Sequence, residues 1–235
     1  QQQQEILSLQ NRLEELSRQT DPLLLTPSNE VFESVIAKFK LENKDANLLQ
    51  CTGIDPEIFY ELEMNLVKYL KSEFARYVPK ENLICDLRET YERDIRALKS
   101  GKDPQYDSYL TPHVYFMVYF LEGVYSAYLA WFLVYHSGLL PAKVSILDIG
   151  AGSGAMLYGL FSLLKSASNY TSLPQTHISY CSLELQGLLQ HHGFELWKQY
   201  IEPQSTATLN TYCRFKTENL FNYGSNGNEG RELPH

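Results

Sequence analysis

One segment, residues 144–155 (VSILDIGAGSGA), constrains the fold more than any other part of the chain. Its first part, residues 144–149, is nearly continuous apolar sequence, which is typical of a central parallel strand buried on both faces. Gly150, Gly152 and Gly154 follow, and because they lack a Cβ atom they let the backbone turn sharply and approach a ligand closely. A helical pattern begins at Ala155. The segment therefore predicts a strand, a tight turn and a helix, with a ligand site beside the helix N-terminus.

The glycine pattern alone fits two cofactor classes. Gly150, Gly152 and Ala155 match the G-x-G-x-x-G/A pattern of dinucleotide-binding folds. A nicotinamide site, however, needs an acidic residue about 20 positions further on to bind the ribose hydroxyls. No Asp or Glu occurs between Asp148 and Glu184, and Asp148 itself lies two residues before the first glycine. These two features disfavour a nicotinamide cofactor, and a plain tight turn with no ligand is the other alternative.

Two further strands are predicted after the glycine turn. Residues 178–184 form a strand that ends in Glu184, and residues 211–215 form a strand that leads into the sequence TENLF at 217–221. With Asp148 placed before the glycines, the stretch from 144 to 221 resembles the class I S-adenosylmethionine (SAM) dependent methyltransferases. The resemblance implies SAM as the cofactor and methyl transfer as the reaction, and it carries no information about the methyl acceptor.

The resemblance implies a set of cofactor-binding residues at the ends of the three strands. They are Asp148, Gly150, Ala151, Gly152, Gly154, Glu184, Asn219 and Leu220. In the family, the acid before the glycines orients the loop around the methionine end of SAM. The acid at the position of Glu184 accepts hydrogen bonds from both ribose hydroxyls, as the two oxygens of a carboxylate can. At the position of Asn219 the family usually has an Asp that meets the adenine amine, and Leu220 would lie beside the adenine ring. The alternatives are that Glu184 is a solvated residue at a strand end and that Asn219 is a plain turn residue.

No catalytic residue and no metal site are predicted. Tyr109 and His113 lie before the glycine segment in a region that often covers the cofactor, although core packing is the favoured interpretation for both. Because Glu184 ends a strand, we expect Glu184→Ala to weaken cofactor binding with little loss of stability.

The predicted fold class is α/β, with an N-terminal all-helical domain followed by the first half of a Rossmann-like methyltransferase sheet, ordered strand, helix, strand, helix, strand. Residues 1–20 carry apolar positions at coiled-coil spacing, residues 28–142 form the helical domain and residues 143–235 the SAM-binding domain. Ser28 and Asp55 are predicted helix caps, and helices are expected over 55–78, 81–100 and 111–136. The family's sheet has seven strands, so we expect the chain to be truncated after the third strand or another chain to complete the sheet. Otherwise the first strand is an exposed apolar edge.

Composition limits the partners. The net charge of −8 argues against broad phosphate binding, so a protein or small-molecule acceptor is favoured over nucleic acid. A partial similarity to ribosome-associated methyltransferase-like proteins keeps RNA as an alternative acceptor. The N-terminal helix predicts a protein partner or self-association. Four scattered cysteines suggest neither a disulfide framework nor zinc and favour a cytoplasmic location, and residues 114–135 are interpreted as a core helix rather than a membrane span.

These features support two functions of different classes. The first is a SAM-dependent methyltransferase. The second is a catalytically inactive, methyltransferase-like binding or assembly protein. Two observations favour it: the missing part of the sheet, and the N-terminal seam, which is the row of apolar residues at coiled-coil spacing in residues 1–20.

Overall fold

The structure is a computed structural model, and it describes residues 23–38, 42–45, 48–50, 56–77, 80–98, 100–102, 106, 108–204 and 209–218. It is a mixed α/β fold. The helices are α1 (Asn29–Lys38), α2 (Pro56–Arg76), α3 (Leu83–Thr90), α4 (Thr111–His136), α5 (Ala155–Ser168) and α6 (Gly187–Leu196). The strands are β1 (Glu42–Asp45), β2 (Leu48–Gln50), β3 (Lys143–Ile149), β4 (Thr176–Glu184) and β5 (Leu209–Thr217).

Three π turns of five residues each lie within a described helix or directly after one. One follows α3 at Tyr91–Ile95 and leads into a last helical turn, Arg96–Leu98. Another lies inside α4 at Phe116–Phe120, and the third follows α6 at Trp197–Ile201. Such turns are rare and are found mostly as single insertions into α-helices. A regular 3.6-residue period does not predict them.

Strands β3, β4 and β5 form a parallel sheet in the order β3-β4-β5. Helix α5 connects β3 to β4, and α6 connects β4 to β5, as parallel neighbours require. All three predicted strands are therefore present, with bounds that are longer than predicted for β4 and β5. The register pairs Asp148 with Ser182 and Glu184 with Thr217, so the carboxyl ends of the strands meet at one edge of the sheet.

The prediction that β3 is buried on both faces is wrong for the described part of the chain. β3 pairs with β4 alone among the described residues, so it lies at the edge of the sheet. Val144 and Ile146 face the core, whereas Leu147 and Ile149 are 39% and 52% exposed. The apolar run reflects residues on two faces of a strand of which only one is covered here.

The predicted all-helical N-terminal domain also needs correction. Strands β1 and β2 form an antiparallel hairpin between α1 and α2, in which Glu42 pairs with Gln50. These strands are only four and three residues long, too short for an alternating pattern to reveal them. The helices themselves were predicted well: α1 follows Ser28, whose hydroxyl oxygen lies 3.4 Å from the Val31 amide nitrogen as in an N-cap. The N-terminal seam over residues 1–20 and Asp55 lie outside the described residues, and the division into domains stays a prediction.

One hydrophobic core joins the helices to the sheet. Its centre is aromatic: the Tyr158 ring on α5 makes edge-to-face contacts with Phe120 and Trp197, at centroid distances of 4.9 and 5.3 Å. Helices α4 and α5 cross closely, because Gly159 brings its backbone against Ala127; a Cβ atom there would lie 2.6 Å from the Ala127 Cβ atom. This packing fixes the helix that begins at the glycine turn.

Helix α4 is the one described helix that is long and apolar enough to cross a membrane, by length and composition alone. One side of it packs into the core through Phe116, Phe120, Val124, Tyr128 and Phe132. The other side leaves Met117 and Leu133 exposed, at 53% and 63%, so the interpretation of α4 as a core helix rather than a membrane span stays a prediction.

Candidate functional site

The glycine turn follows β3, and its glycines have a backbone conformation that other residues adopt only with strain. Gly150, Gly152 and Gly154 have φ angles of 68°, 55° and 80°, all in the left-handed region. A Cβ atom at Gly150 would meet nothing within 4 Å, and at Gly154 nothing closer than 3.5 Å. Conformation rather than space therefore selects glycine at these two positions, and the turn leaves open room above the start of α5.

Asp148 lies at the end of β3, next to β4. Its Oδ2 atom accepts a hydrogen bond of 2.7 Å from the Tyr180 hydroxyl. Burial raises the pKa of the Asp148 carboxyl, and the negative charge of Glu184 raises it further, while the bond from Tyr180 opposes both. The sequence did not single out Tyr180, although it lies two residues before the register partner of Asp148, on the same face of the sheet.

Glu184 closes the turn from the neighbouring strand. Its Oε2 atom accepts a 2.7 Å hydrogen bond from the Gly152 amide, and its Oε1 atom a 2.8 Å bond from the Gln186 amide. The side chain is almost fully buried, with the residue 9% exposed. Each carboxylate oxygen has a second lone pair, so both can still accept a ligand hydroxyl. Glu184 therefore holds the loop in shape, a role that the sequence did not predict.

Helix α6 supports the turn from the side. A Cβ atom at Gly193 would lie 2.3 Å from the Ser153 carbonyl oxygen, so the helix backbone touches the turn directly. The Tyr158 hydroxyl donates a 2.7 Å hydrogen bond to the Gly193 carbonyl oxygen from α5. Helix α6 therefore bounds the turn on one side, and Tyr158 ties α6 to α5, the helix that begins at the turn.

A cavity of about 650 Å³ lies beside the turn, against α4. It is lined by Leu98, Tyr115, Tyr119, Glu122, Gly123 and Ser126. The Tyr115 hydroxyl oxygen would be 3.8 Å from a Cβ atom at Gly152, which places the cavity next to the turn. Burial and the negative charge of Glu184 raise the pKa of Tyr115, so this hydroxyl stays protonated and can donate a hydrogen bond into the cavity.

The structure brings most of the predicted cofactor residues together at one edge of the sheet. They are Asp148, Gly150, Ala151, Gly152, Gly154 and Glu184. Asn219 and Leu220 lie outside the described residues. Tyr109 and His113 lie elsewhere: both rings contact His192, and the Tyr109 hydroxyl donates to Glu73. Tyr115, six residues after Tyr109, is the residue of this region that reaches the turn.

The residues fit a cationic ligand better than an anionic one. The two carboxylates of Asp148 and Glu184 stand close enough that the negative charge of Glu184 contributes to the raised pKa of Asp148. SAM carries a sulfonium and an ammonium group against one carboxylate, so its net charge is positive and such a site attracts it overall. The pyrophosphate of a dinucleotide would instead be repelled by these carboxylates, although amides at the start of α5 favour anions.

No family model, no curated protein and no solved structure matches this chain. The functional argument therefore depends on the geometry of the turn and its two carboxylates.

Proposed function

We propose that this protein is a SAM-dependent methyltransferase of the class I, Rossmann-like type, and that β3, β4 and β5 are the first half of its sheet. One observation carries the proposal: three left-handed glycines lie between Asp148 and Glu184 at the carboxyl ends of two adjacent parallel strands. In α/β sheets, ligands bind at this edge of the strands.

The residues divide the work of binding. Asp148, held by Tyr180, faces the turn and offers a negative charge to the cationic end of SAM. Glu184 keeps the turn in shape through Gly152 and retains acceptor capacity for the ribose hydroxyls. Asn219 is the proposed partner of the adenine amine, by resemblance. SAM supplies an intrinsically reactive methyl group, so the protein mainly provides alignment and proximity.

The cavity beside α4 is the proposed entry for the methyl acceptor. It opens next to Gly152 and offers the hydroxyl of Tyr115, a half-buried residue, together with the carboxylate of Glu122. Such a surface suits a neutral or cationic acceptor, a protein side chain or a small molecule, better than a polyanion. The acidic net charge of −8 agrees with this preference.

A second candidate keeps the pocket without the chemistry: a methyltransferase-like binding or assembly protein. The observation that favours it is the open edge and exposed apolar face of β3, at Leu147 and Ile149, which offer a surface to another polypeptide. Methyl transfer from SAM to any acceptor would exclude it.

Calorimetric titration with SAM, S-adenosylhomocysteine and NADH tests the proposal. We expect SAM and S-adenosylhomocysteine to bind and NADH not to bind. Asp148→Asn keeps the bond to Tyr180 but removes the charge, so it should weaken SAM binding about tenfold or more, the value of one lost charge-assisted interaction. Glu89→Ala, an exposed residue on α3, is the matched control. NADH binding without SAM binding would refute the proposal.

A further inference from the structure

Three helices bring a carboxylate and two imidazoles together beneath the glycine turn. Glu73 comes from α2, His113 from α4 and His192 from α6, and one ligand atom of each lies within 4.8 Å of the others. Glu73 Oε2 is 3.6 Å from His113 Nε2 and 3.9 Å from His192 Nδ1. All three residues are buried, His113 and His192 to 1% and 3% exposure. The cluster is separate from Asp148 and Glu184.

His113 directs an unprotonated nitrogen at the carboxylate. Its Nδ1 atom lies 3.1 Å from the Tyr109 carbonyl oxygen, which can only accept, so Nδ1 carries the proton. The Nε2 atom then has a lone pair, and no described group donates a hydrogen bond to it. Two acceptors, Nε2 and Glu73 Oε2, therefore face each other in a buried site, an arrangement that either a proton or a metal cation between them stabilises.

His192 offers a second such nitrogen in the tautomer that carries the ring proton on Nδ1. Its Nδ1 atom is 2.5 Å from the Tyr69 hydroxyl oxygen, and its Nε2 atom has no hydrogen-bond partner among the described residues. When Nδ1 donates to Tyr69, Nε2 presents a lone pair. Metal-binding histidines commonly donate their other ring N–H to a nearby oxygen in this way, which fixes the ring and its tautomer.

Glu73 is positioned for the same purpose. Arg76 donates a 3.0 Å hydrogen bond to Oε1, which holds the carboxylate and leaves Oε2 toward the histidines. The Tyr109 hydroxyl donates to Oε2 at 3.3 Å from the outer side, and Tyr109 is half exposed, so this ring covers the cluster from solvent.

We propose that Glu73, His113 and His192 bind a divalent transition metal ion, with Zn²⁺ as the best-fitting ion. Two imidazole nitrogens and one carboxylate are a donor set that zinc uses, with a fourth position left for water. Zinc bonds of about 2.0–2.2 Å separate tetrahedral ligand atoms by roughly 3.3 Å. The separation of 3.6 Å between Glu73 Oε2 and His113 Nε2 needs only a small side-chain movement to reach that value. The separation of 3.9 Å involves His192 Nδ1, so the His192 ring must turn to present its Nε2 atom to the ion.

A protonated histidine is the competing explanation for the cluster. Burial opposes it: the pKa of His113 is lowered, and that of His192 is lowered to about 3 by burial and by the neighbouring histidines. A proton on His113 Nε2 would pair that atom with Glu73 but would leave His192 Nε2 without a partner among the described residues, whereas a metal ion can bind both histidines and the carboxylate.

The proposed ion would join the helical layer to the glycine turn. His192 directly precedes Gly193, whose backbone contacts Ser153 in the turn. An ion held between α2, α4 and α6 would thus fix the helix that supports the turn. Its binding does not depend on SAM, so the two proposals can fail separately.

The test is zinc binding by the whole chain after removal of metals with a chelator. Zn²⁺ is titrated calorimetrically, and Co²⁺ is added as a spectroscopic probe whose visible absorption reports its coordination. We expect one ion per chain. Glu73→Gln and His113→Gln should each weaken Zn²⁺ binding by more than about 100-fold, since even residues that only orient metal ligands account for 10–100-fold.

The matched control is His191→Gln, an exposed histidine next to His192, and it should bind Zn²⁺ as the wild type does. Circular dichroism of each metal-free variant shows whether it folds, and His192→Gln replaces any ligand variant that does not. Absence of Zn²⁺ and Co²⁺ binding by the wild type would overturn the proposal. So would wild-type affinity in the folded Glu73→Gln and His113→Gln variants, because the ion would then bind elsewhere.

Discussion

Replacing Glu184 by alanine should destabilise the protein as well as its cofactor site. The side chain accepts hydrogen bonds from the Gly152 and Gln186 amides, at 2.7 and 2.8 Å. A hydrogen bond to a charged group contributes about 1.5–3 kcal/mol. Gly152 and Gln186 are both half-buried, so water can replace part of the loss. We therefore expect a loss of about 3 kcal/mol in unfolding free energy, at the low end for two such bonds. This differs from the sequence-based expectation of little loss.

Urea unfolding followed by circular dichroism measures this loss, and a melting temperature about 9 °C lower should accompany it. Glu184→Gln keeps one acceptor oxygen, so it should lose about half as much. Glu89→Ala removes an exposed carboxylate from α3 and should stay within about 0.5 kcal/mol of the wild type. If Glu184→Ala also stays within that margin, the carboxylate does not hold the turn, and the structural argument for its position is refuted.

Three further changes test the turn. Gly193→Ala forces a Cβ atom to 2.3 Å from the Ser153 carbonyl oxygen, so urea unfolding should show a loss of about 2 kcal/mol, despite the gain in helix propensity. Gly154→Ala, at φ 80°, should lose about 1 kcal/mol by the same measurement from backbone strain alone, because its Cβ atom meets nothing closer than 3.5 Å. Asp148→Asn tests pH dependence. Burial raises the pKa of Asp148 in the folded protein above its unfolded value, so ionisation of the carboxyl destabilises the wild type at neutral pH. This destabilisation disappears as the pH falls through the folded and then the unfolded pKa. Urea unfolding should therefore find the variant, which keeps the acceptor for Tyr180, more stable relative to the wild type near pH 7 than near pH 3.5, and an unchanged difference would contradict the burial argument.

The local features of the glycine segment could be predicted from the sequence, because strand, turn and helix signals lie side by side there. The strands that carry Asp148 and Glu184 at or near their carboxyl ends were predicted, and parallel pairing brings these ends together. The exposure of Ile149 could not be predicted, since an apolar residue on an open face has the same sequence pattern as a buried one. The assignments that depend on Asn219 stay predictions.

The cluster of Glu73, His113 and His192 could not be predicted from spacing. Its members lie on three helices, far apart along the chain, and each looks like an ordinary core or surface residue in its own helix. Only the packing of α2, α4 and α6 brings them together. Tyr180 was missed for a different reason: its role depends on the strand register, which the sequence alone did not supply.

The π turn Phe116–Phe120 has a consequence for the way the chain can vary. A π turn holds one residue more than the α-helical turn it replaces, and each residue advances an α-helix by about 100°. Deleting any one residue of Phe116–Phe120 would restore a regular helix and rotate everything before it by that angle. His113 would then leave the side of the helix that faces His192. Deleting a single residue of this turn therefore removes the His113 side chain from the cluster as a His113 substitution would, although the histidine itself is unchanged.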